Sequence, residues 1–271
     1  MEPGLQRRVQ RYGWDKAARL YEGYWHKQLS PAQHQLMVFA DLQHGERVID
    51  IACGTGLVSF QAAAKVGSSG YVSANDISEN MVETARGLAA ERDVANIRFE
   101  RMDAEELQEP DATYDKALCA LGLMYFPDPV KALKEMHRVL KPGGRAVAAV
   151  WGKRNNCGWA AIFEIVDKRV SSEVCPMFFY LGNPEVLKMS FEKAGFTNIQ
   201  SDRISTTLEY ASGEEACGAA FAGGPVALAY HKFSDDVKEE AHAEYLASIE
   251  QYRKGKGYAV PGEFVIVSGT K

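Results

Sequence analysis

The 271-residue sequence lacks any apolar run as long as the roughly 18 residues that a membrane-spanning helix requires. Its first eight residues lack the apolar core of a signal peptide, so we expect a cytoplasmic protein. The formal net charge is −5 and no basic patch is present. Nucleic acid is therefore a poor candidate for a partner, and no membrane span is predicted.

Signatures of disulfide and metal centres are also missing. The cysteines are scattered and form no C-x-x-C pair: Cys53, Cys119, Cys157, Cys175 and Cys217. Neither an H-E-x-x-H motif nor another cluster of histidines and acids occurs. We expect free thiols in a reducing compartment and no metal site.

The most informative stretch that is present runs from Val48 to Gly56 and reads Val-Ile-Asp-Ile-Ala-Cys-Gly-Thr-Gly. Its apolar residues predict a buried parallel strand that ends near Asp50, and its small residues predict a turn into a helix. Glycine has no Cβ and tolerates a positive φ, so a ligand can approach the backbone of this turn closely. The stretch therefore indicates a site where a ligand lies against bare backbone.

Acidic residues follow the next two predicted strands. Asp76 ends the strand that starts at Tyr71, about twenty residues beyond the glycines, where a carboxylate can accept hydrogen bonds from ribose hydroxyls. Asp103 follows a strand at 97–102 and precedes Ala104. Each acid could instead cap the helix that follows it, and at Asp103 the two roles can coexist.

Two further segments complete the pattern. Residues 114–128 resemble a fourth strand and the loop behind it in the family that is named below, and apolar residues at helical spacing from 129 to 140 predict an amphipathic helix whose apolar face belongs to the core. The helix ends in Leu-Lys-Pro-Gly-Gly at 140–144, and another strand follows at 145–151.

The order Asp50-x-x-Cys53-Gly54-Thr55-Gly56 resembles the first motif of class I S-adenosylmethionine-dependent methyltransferases. The later acids and the segment at 140–144 resemble further motifs of that family, in the same order. The likeness covers about residues 45–151 and is nearest to the small-molecule branch that includes ubiquinone and menaquinone biosynthesis methyltransferases. That branch usually has a Glu on the following strand, where this chain has Val150-Trp151.

The resemblance implies an α/β fold: a Rossmann-like sheet of seven strands, mainly parallel with the last strand antiparallel, with helices on both faces and helical cap elements. It implies S-adenosylmethionine as cofactor, S-adenosylhomocysteine as product, and a small-molecule acceptor methylated by in-line displacement. The implied cofactor-binding residues are Tyr21, Asp50, Ala52, Gly54, Thr55, Gly56, Asp76, Ile77, Met81, Asp103, Ala104 and Cys119.

We expect one domain with a helical cap at 1–42, a cofactor-binding core at 43–210, a helical insert at 211–258 and a final strand at 259–271. Two helices are predicted between Trp14 and Ala40. The insert is either a packing appendage or a cover for the substrate, since inserted elements with glycine breaks often act as lids.

Aromatic residues supply the predicted acceptor site. Trp14, Tyr21 and Trp25 fall near one helical face, which is either an apolar face on the core or an aromatic lid beside a sulfonium. Tyr125 and Trp151 are predicted to join Trp14 and Trp25 in contacting the substrate.

Methyl transfer can proceed largely through proximity and orientation, so a general base is optional. Tyr125 is the preferred candidate because it follows the fourth strand at the mouth of the cleft. His26 and His137 are alternatives, although a helical histidine such as His137 is more often structural.

Two other functions stay open. One is a nicotinamide-dependent oxidoreductase that uses Gly54 and Asp76, although Ser59 stands where the dinucleotide pattern has its third glycine. The other is a non-catalytic protein that binds an adenosyl group without chemistry. The sequence does not reveal the acceptor atom or the oligomeric state.

Overall fold

A computed structural model describes residues 2–170 and 177–271 of the chain. Cys175, one of the predicted thiols, lies outside the described residues. The other four cysteines are buried and free.

The core of the molecule is a single sheet with strand order β3-β2-β1-β4-β5-β8-β6, in which the short β7 pairs with β8. The strands β1 to β5 pair in parallel, and β8 runs antiparallel to both of its long neighbours. The predicted α/β sheet is therefore confirmed, including its antiparallel last strand. The strands are β1 Arg47–Ile51, β2 Tyr71–Asp76, β3 Ile97–Arg101, β4 Tyr114–Ala120, β5 Leu140–Trp151, β6 Thr197–Tyr210, β7 Arg253–Lys254 and β8 Gly257–Thr270.

Helices surround this sheet, and the central strands are apolar because both of their faces are covered. In β1, for example, Val48, Ile49 and Ile51 have no exposed surface. The helices are α1 Pro3–Ala40, α2 Leu57–Val66, α3 Glu79–Glu91, α4 Pro129–Val139, α5 Ala161–Asp167, α6 Val186–Lys193, α7 Gly213–Cys217, α8 Ala227–Tyr230 and α9 Asp235–Ile249. Within the described ranges, none of them combines the length and apolar character that crossing a membrane demands.

The amino-terminal region corrects one prediction, because one helix of 38 residues replaces the two expected helices. Pro31 lies inside this helix, where a proline removes a hydrogen bond and costs about 3 kcal/mol. The residues on both sides of Pro31 nevertheless bury side chains against the same core, including Trp25, Leu29 and Leu36. This shared packing keeps α1 continuous.

Two strands begin earlier than predicted. The Leu-Lys-Pro-Gly-Gly segment at 140–144 belongs to β5, which has a register shift against β4 opposite this segment. The last strand starts at Gly257 rather than near 259 or 264, because it pairs with β6 as far as Tyr210.

The insert between β6 and β8 packs against α1. It comprises α7, a π-helical turn at Gly218–Ala222, α8 and α9. The Tyr24 ring lies against Gly218 and Gly223, where an added Cβ would come within 2.3 and 2.8 Å of it. The insert is thus fitted to the amino-terminal helix through close glycine contacts.

Candidate functional site

A cavity opens at the carboxyl ends of β1, β2 and β4, beneath residues 7–29 of α1. The chain order reverses between β1 and β4, and ligands of open α/β sheets bind at such a switch point. The predicted glycine turn and the predicted aromatic residues both reach this cavity.

The glycine turn has the backbone geometry that its sequence predicts. Gly54 and Gly56 adopt φ values of +56° and +93°, which favour glycine. A Cβ at Gly56 would lie 2.8 Å from the Phe60 ring, whereas a Cβ at Gly54 would lie 3.7 Å from Tyr21. Gly54 therefore lines the cavity with Tyr21 facing it, and Gly56 forms the turn behind it.

Asp76 holds this turn in place. Its buried carboxylate accepts hydrogen bonds from the Gly54 N–H and the Ser78 N–H, each at 2.9 Å. Burial raises the pKa of Asp76 to about 6, although these two hydrogen bonds lower it. The cap of α3 is Ser78, whose Oγ accepts from the Met81 N–H, so Asp76 is not the cap residue and faces the cavity.

Asp50 lies deeper, beside a smaller cavity that also contacts Tyr21 and Gln33. Ser59 Oγ donates to one carboxyl oxygen of Asp50 at 2.5 Å, and Oδ1 has no hydrogen-bond partner among the described residues. Burial raises the pKa of Asp50 to about 7, opposed by the Ser59 hydrogen bond. Ser59 thus donates a hydrogen bond to Asp50 from the position where the dinucleotide pattern has its third glycine.

Asp103 lines the opposite end of the cavity with Ala104. One of its oxygens accepts from the Glu105 N–H at 2.9 Å, and the other forms an ion pair with Arg7 Nε at 3.0 Å. Arg7 also pairs with the buried Glu105. These ion pairs hold the first turns of α1 against the loop after β3. No sequence motif predicts this contact.

Three predicted cofactor residues do not line either cavity: Thr55, Gly56 and Cys119. Cys119 is fully buried in β4, and burial raises the pKa of its thiol to about 12. Ala120 and Leu121 at the end of β4 take its place at the wall. The remaining predicted residues line one cavity or both: Tyr21, Asp50, Ala52, Gly54, Asp76, Ile77, Met81, Asp103 and Ala104.

The other wall of the cavity is a continuous aromatic belt. Its successive ring centroids are 5.7, 5.2, 5.4, 5.6, 4.8 and 6.2 Å apart. Four of its members were predicted to contact the substrate, and sequence reasoning missed two, Trp159 and Phe178. In order, the aromatic belt consists of Tyr21, Trp14, Tyr125, Phe178, Trp159, Trp151 and Trp25.

The insert reaches this wall at one end of the belt. Trp25 Nε1 donates to the Gly223 carbonyl at 2.9 Å, and Pro225 lines the cavity. Trp25 is therefore both a wall residue and an anchor for the insert.

Neither histidine candidate for a general base lines the cavity. His26 is exposed on α1 and does not line the cavity, and His137 packs on Phe196 with ring centroids 5.1 Å apart. Tyr125 does line the cavity, and its carbonyl accepts from Gln6 Nε2 at 3.1 Å. Within the described part of the chain, no group of three or more acids, histidines or cysteines is arranged to hold a metal ion.

Comparison with known proteins agrees with this geometry. Residues 42–211, more than half of the chain, match the family described as a methyltransferase domain. The chain therefore belongs to this family, and its sheet and glycine turn agree with the resemblance to class I S-adenosylmethionine-dependent methyltransferases that the sequence indicates.

Particular relatives resemble parts of the chain. A demethylmenaquinone methyltransferase of Listeria monocytogenes serotype 4a is 36% identical over 129 residues, 48% of this chain and 54% of that protein. A ubiquinone/menaquinone biosynthesis C-methyltransferase of Cellvibrio japonicus is 44% identical over 113 residues, 41% of this chain and 45% of that protein. The chain thus spans about half the length of these curated relatives.

Among solved structures, the fold is similar to a Haemonchus contortus phosphoethanolamine N-methyltransferase in complex with phosphomonomethylethanolamine and S-adenosylhomocysteine. The TM-score is 0.62 at 20% identity, covering 95% of this chain and 57% of that one. At this identity the likeness shows the fold alone.

Proposed function

We propose that this protein transfers the methyl group of S-adenosylmethionine to a neutral small molecule that carries an aromatic ring. The observation that carries the proposal is the division of one cavity into two walls. One wall offers the glycine turn and carboxylates, and the other is the aromatic belt. The relatives that are named for demethylmenaquinone and for ubiquinone/menaquinone biosynthesis support a ring-shaped acceptor.

The polar wall suits S-adenosylmethionine along its whole length. Asp76 would accept from the ribose hydroxyls, and Asp103 with Ala104 would contact the adenine. Asp50 and Tyr21, beside the smaller cavity, would face the methionine part. The unpartnered Asp50 Oδ1 is a natural acceptor for its ammonium group.

The charges of the cavity favour a neutral acceptor. Among the described residues, the charged side chains that line the cavity are Arg7, Asp76, Asp103 and Glu105. Arg7 is paired with Asp103 and Glu105, so its charge is compensated within the cavity wall. The aromatic belt offers ring faces without a counter-ion, and such faces stack well on a planar ring.

The proposed reaction is an in-line displacement. An electron pair of the acceptor attacks the methyl carbon, and the electrons of the broken C–S bond return to sulfur, which leaves S-adenosylhomocysteine. Holding the two reactants in line can supply about 7–11 kcal/mol of the barrier reduction. Tyr125, between Trp14 and Phe178 in the belt, is the candidate to orient the acceptor or, as the phenolate, to receive its proton.

We also propose that the protein is cytoplasmic and does not bind nucleic acid. The buried free thiols and the net charge of −5 support this proposal.

Calorimetry and a transfer assay test the proposal. S-adenosylmethionine and S-adenosylhomocysteine should bind, whereas NAD and NADP should not. Label from methyl-labelled S-adenosylmethionine should pass to naphthols or hydroquinones, and not to charged amines such as phosphoethanolamine. Preferential binding of NAD or NADP would favour the oxidoreductase. Cofactor binding without transfer to any neutral ring would favour the non-catalytic adenosyl-binding protein.

A further inference from the structure

Trp159 occupies the middle of the aromatic belt. Its ring lies 4.8 Å from Trp151 and 5.6 Å from Phe178, measured between centroids. The side chain lines the cavity and is only 1% exposed. Its Nε1–H has no hydrogen-bond acceptor among the described residues.

An unpartnered indole N–H is unusual in such a place, because a buried tryptophan normally finds an acceptor for this group. The neighbouring Trp25 follows the rule, since its Nε1 donates to the Gly223 carbonyl at 2.9 Å. Packing in the belt would need only an aromatic ring, which phenylalanine also supplies. The N–H of Trp159 therefore lacks an acceptor among the residues that the structure describes.

We propose that Trp159 Nε1–H donates a hydrogen bond to a carbonyl or hydroxyl oxygen of the methyl acceptor. This inference rests on the proposed function, since it requires a neutral aromatic acceptor in the belt. It makes Trp159 a specificity-determining residue of the methyl-transfer site.

We assign this role to Trp159 because a hydrogen bond fixes the direction in which the acceptor ring lies. Ring stacking in the belt binds an aromatic face but permits several orientations of the ring in its plane. The indole N–H of Trp159 would select the orientation that places an oxygen substituent beside it. Of the other polar side chains near the belt, Gln10 and Tyr125 already have partners. A site built to hydrogen-bond a substrate oxygen discriminates strongly against an analogue without it.

The test compares two fluorinated probes that differ by one hydroxyl, 4-fluoro-1-naphthol and 1-fluoronaphthalene. Their affinities for the S-adenosylhomocysteine complex are measured by ¹⁹F NMR titration in wild type, Trp159→Phe and Trp151→Phe. Trp159→Phe should weaken naphthol binding about tenfold, the loss of one hydrogen bond, and change fluoronaphthalene binding less than twofold. Trp151→Phe is the comparison variant, which removes ring surface and the neighbouring indole N–H. It should weaken both probes by the same factor, because the proposal assigns the hydrogen bond to Trp159 and not to Trp151.

A second readout avoids dependence on the fold of the variant. In ¹⁵N-labelled wild-type protein, the indole resonance of Trp159 should move downfield with the naphthol and not with fluoronaphthalene. Equal weakening of both probes by Trp159→Phe, or an unmoved indole resonance with bound naphthol, would overturn the role of Trp159 while leaving the proposed function intact. If neither probe binds to wild type, the proposed aromatic acceptor fails and this inference fails with it.

Discussion

The two walls of the cavity are built in different ways. The cofactor wall consists of strand ends and the turns directly behind them, at 50, 52–54, 75–77 and 103–104. Its groups are backbone N–H donors and short acids, fixed by hydrogen bonds such as Gly54 to Asp76. The acceptor wall consists of rings from α1, the turn after β4, the end of β5 and two positions beyond it.

This difference separates a general function, binding of the cofactor, from a particular one, recognition of the acceptor. A ligand held by backbone groups requires the same few small residues at the same spacing, and the wall then suits one cofactor. A wall of side chains changes shape whenever one aromatic residue is replaced by another. Such a wall can be adapted to different acceptors. We expect substitutions on the two walls to affect different ligands, and the following predictions test that expectation.

The largest expected effect comes from a substitution in the glycine turn. Gly54→Val should abolish S-adenosylmethionine binding, with a loss of at least about 100-fold, because a β-branched residue is strained at φ +56° and its side chain occupies the face toward Tyr21. Calorimetry measures the affinity, and circular dichroism checks that helical content is retained. The control is Gly87→Val, since no atom lies within 4 Å of a Cβ there. Tight binding by Gly54→Val would show that the turn does not cradle the cofactor.

A smaller effect is expected from the acid that follows β2. Asp76→Ala should weaken S-adenosylmethionine binding by roughly 1.5–3 kcal/mol, because the ribose hydroxyls lose a charged acceptor. The Gly54 N–H also loses the carboxylate that accepts its hydrogen bond. Calorimetry against Asp235→Ala, which removes a carboxylate that is 92% exposed, isolates the effect of the site. Unchanged affinity in a folded Asp76→Ala variant would remove Asp76 from the cofactor wall.

The third prediction concerns pH. Burial raises the pKa of Asp50 from 3.8 to about 7, so the folded protein holds this proton more tightly than the unfolded chain. Its contribution to stability is fully present below pH 3.8 and is lost as pH rises through about 7. Between pH 5.5 and 8 the ligand-free protein should therefore lose roughly 2 kcal/mol of unfolding free energy through this group.

Urea unfolding at several pH values measures this loss. Asp50→Asn has no proton to lose and should show a flatter profile. Ser59→Ala should extend the loss to higher pH, because the hydrogen bond from Ser59 lowers the pKa of Asp50. Identical profiles for wild type and Asp50→Asn would mean that Asp50 is ionised throughout and that its burial has little effect.

The contrast between the walls also explains what could be predicted from the sequence. The first strands, the glycine turn and Asp76 are local patterns, in which a few adjacent residues determine both the backbone and the predicted ligand contact. Even the choice between a cap and a ligand role at Asp76 depended on a residue two positions away, Ser78.

The missed residues have no such local signal. Arg7 reaches Glu105 across 98 positions of sequence, and Trp159 and Phe178 join the belt from segments beyond β5. Their positions depend on how helices pack on the sheet, which spacing alone does not reveal. The continuity of α1 through Pro31 was missed for the same reason, since tertiary packing outweighs the local preference.

The smallest expected effect concerns α1, which belongs to both walls. This helix is tied to the rim of the cavity at several points: Gln6 to the Tyr125 carbonyl, Arg7 to Asp103, Ser78 Oγ to Asp15, and Trp25 to the Gly223 carbonyl. Because the helix covers the cavity, cofactor exchange requires at least local opening here. A bound cofactor should add contacts to Tyr21 and make that opening less favourable.

Hydrogen exchange across residues 14–30 should therefore slow by roughly tenfold, about 1.4 kcal/mol, when S-adenosylhomocysteine binds. Peptides from the insert at 213–256 are a second probe, since Trp25 anchors the insert, and peptides from α4 should not change. Equal protection of 14–30 in both states would mean that Trp14, Tyr21 and Trp25 are a static part of the core. Closure over the acceptor would then have to come from the insert alone, and protection confined to the peptides around Gly223 and Pro225 would be its signature.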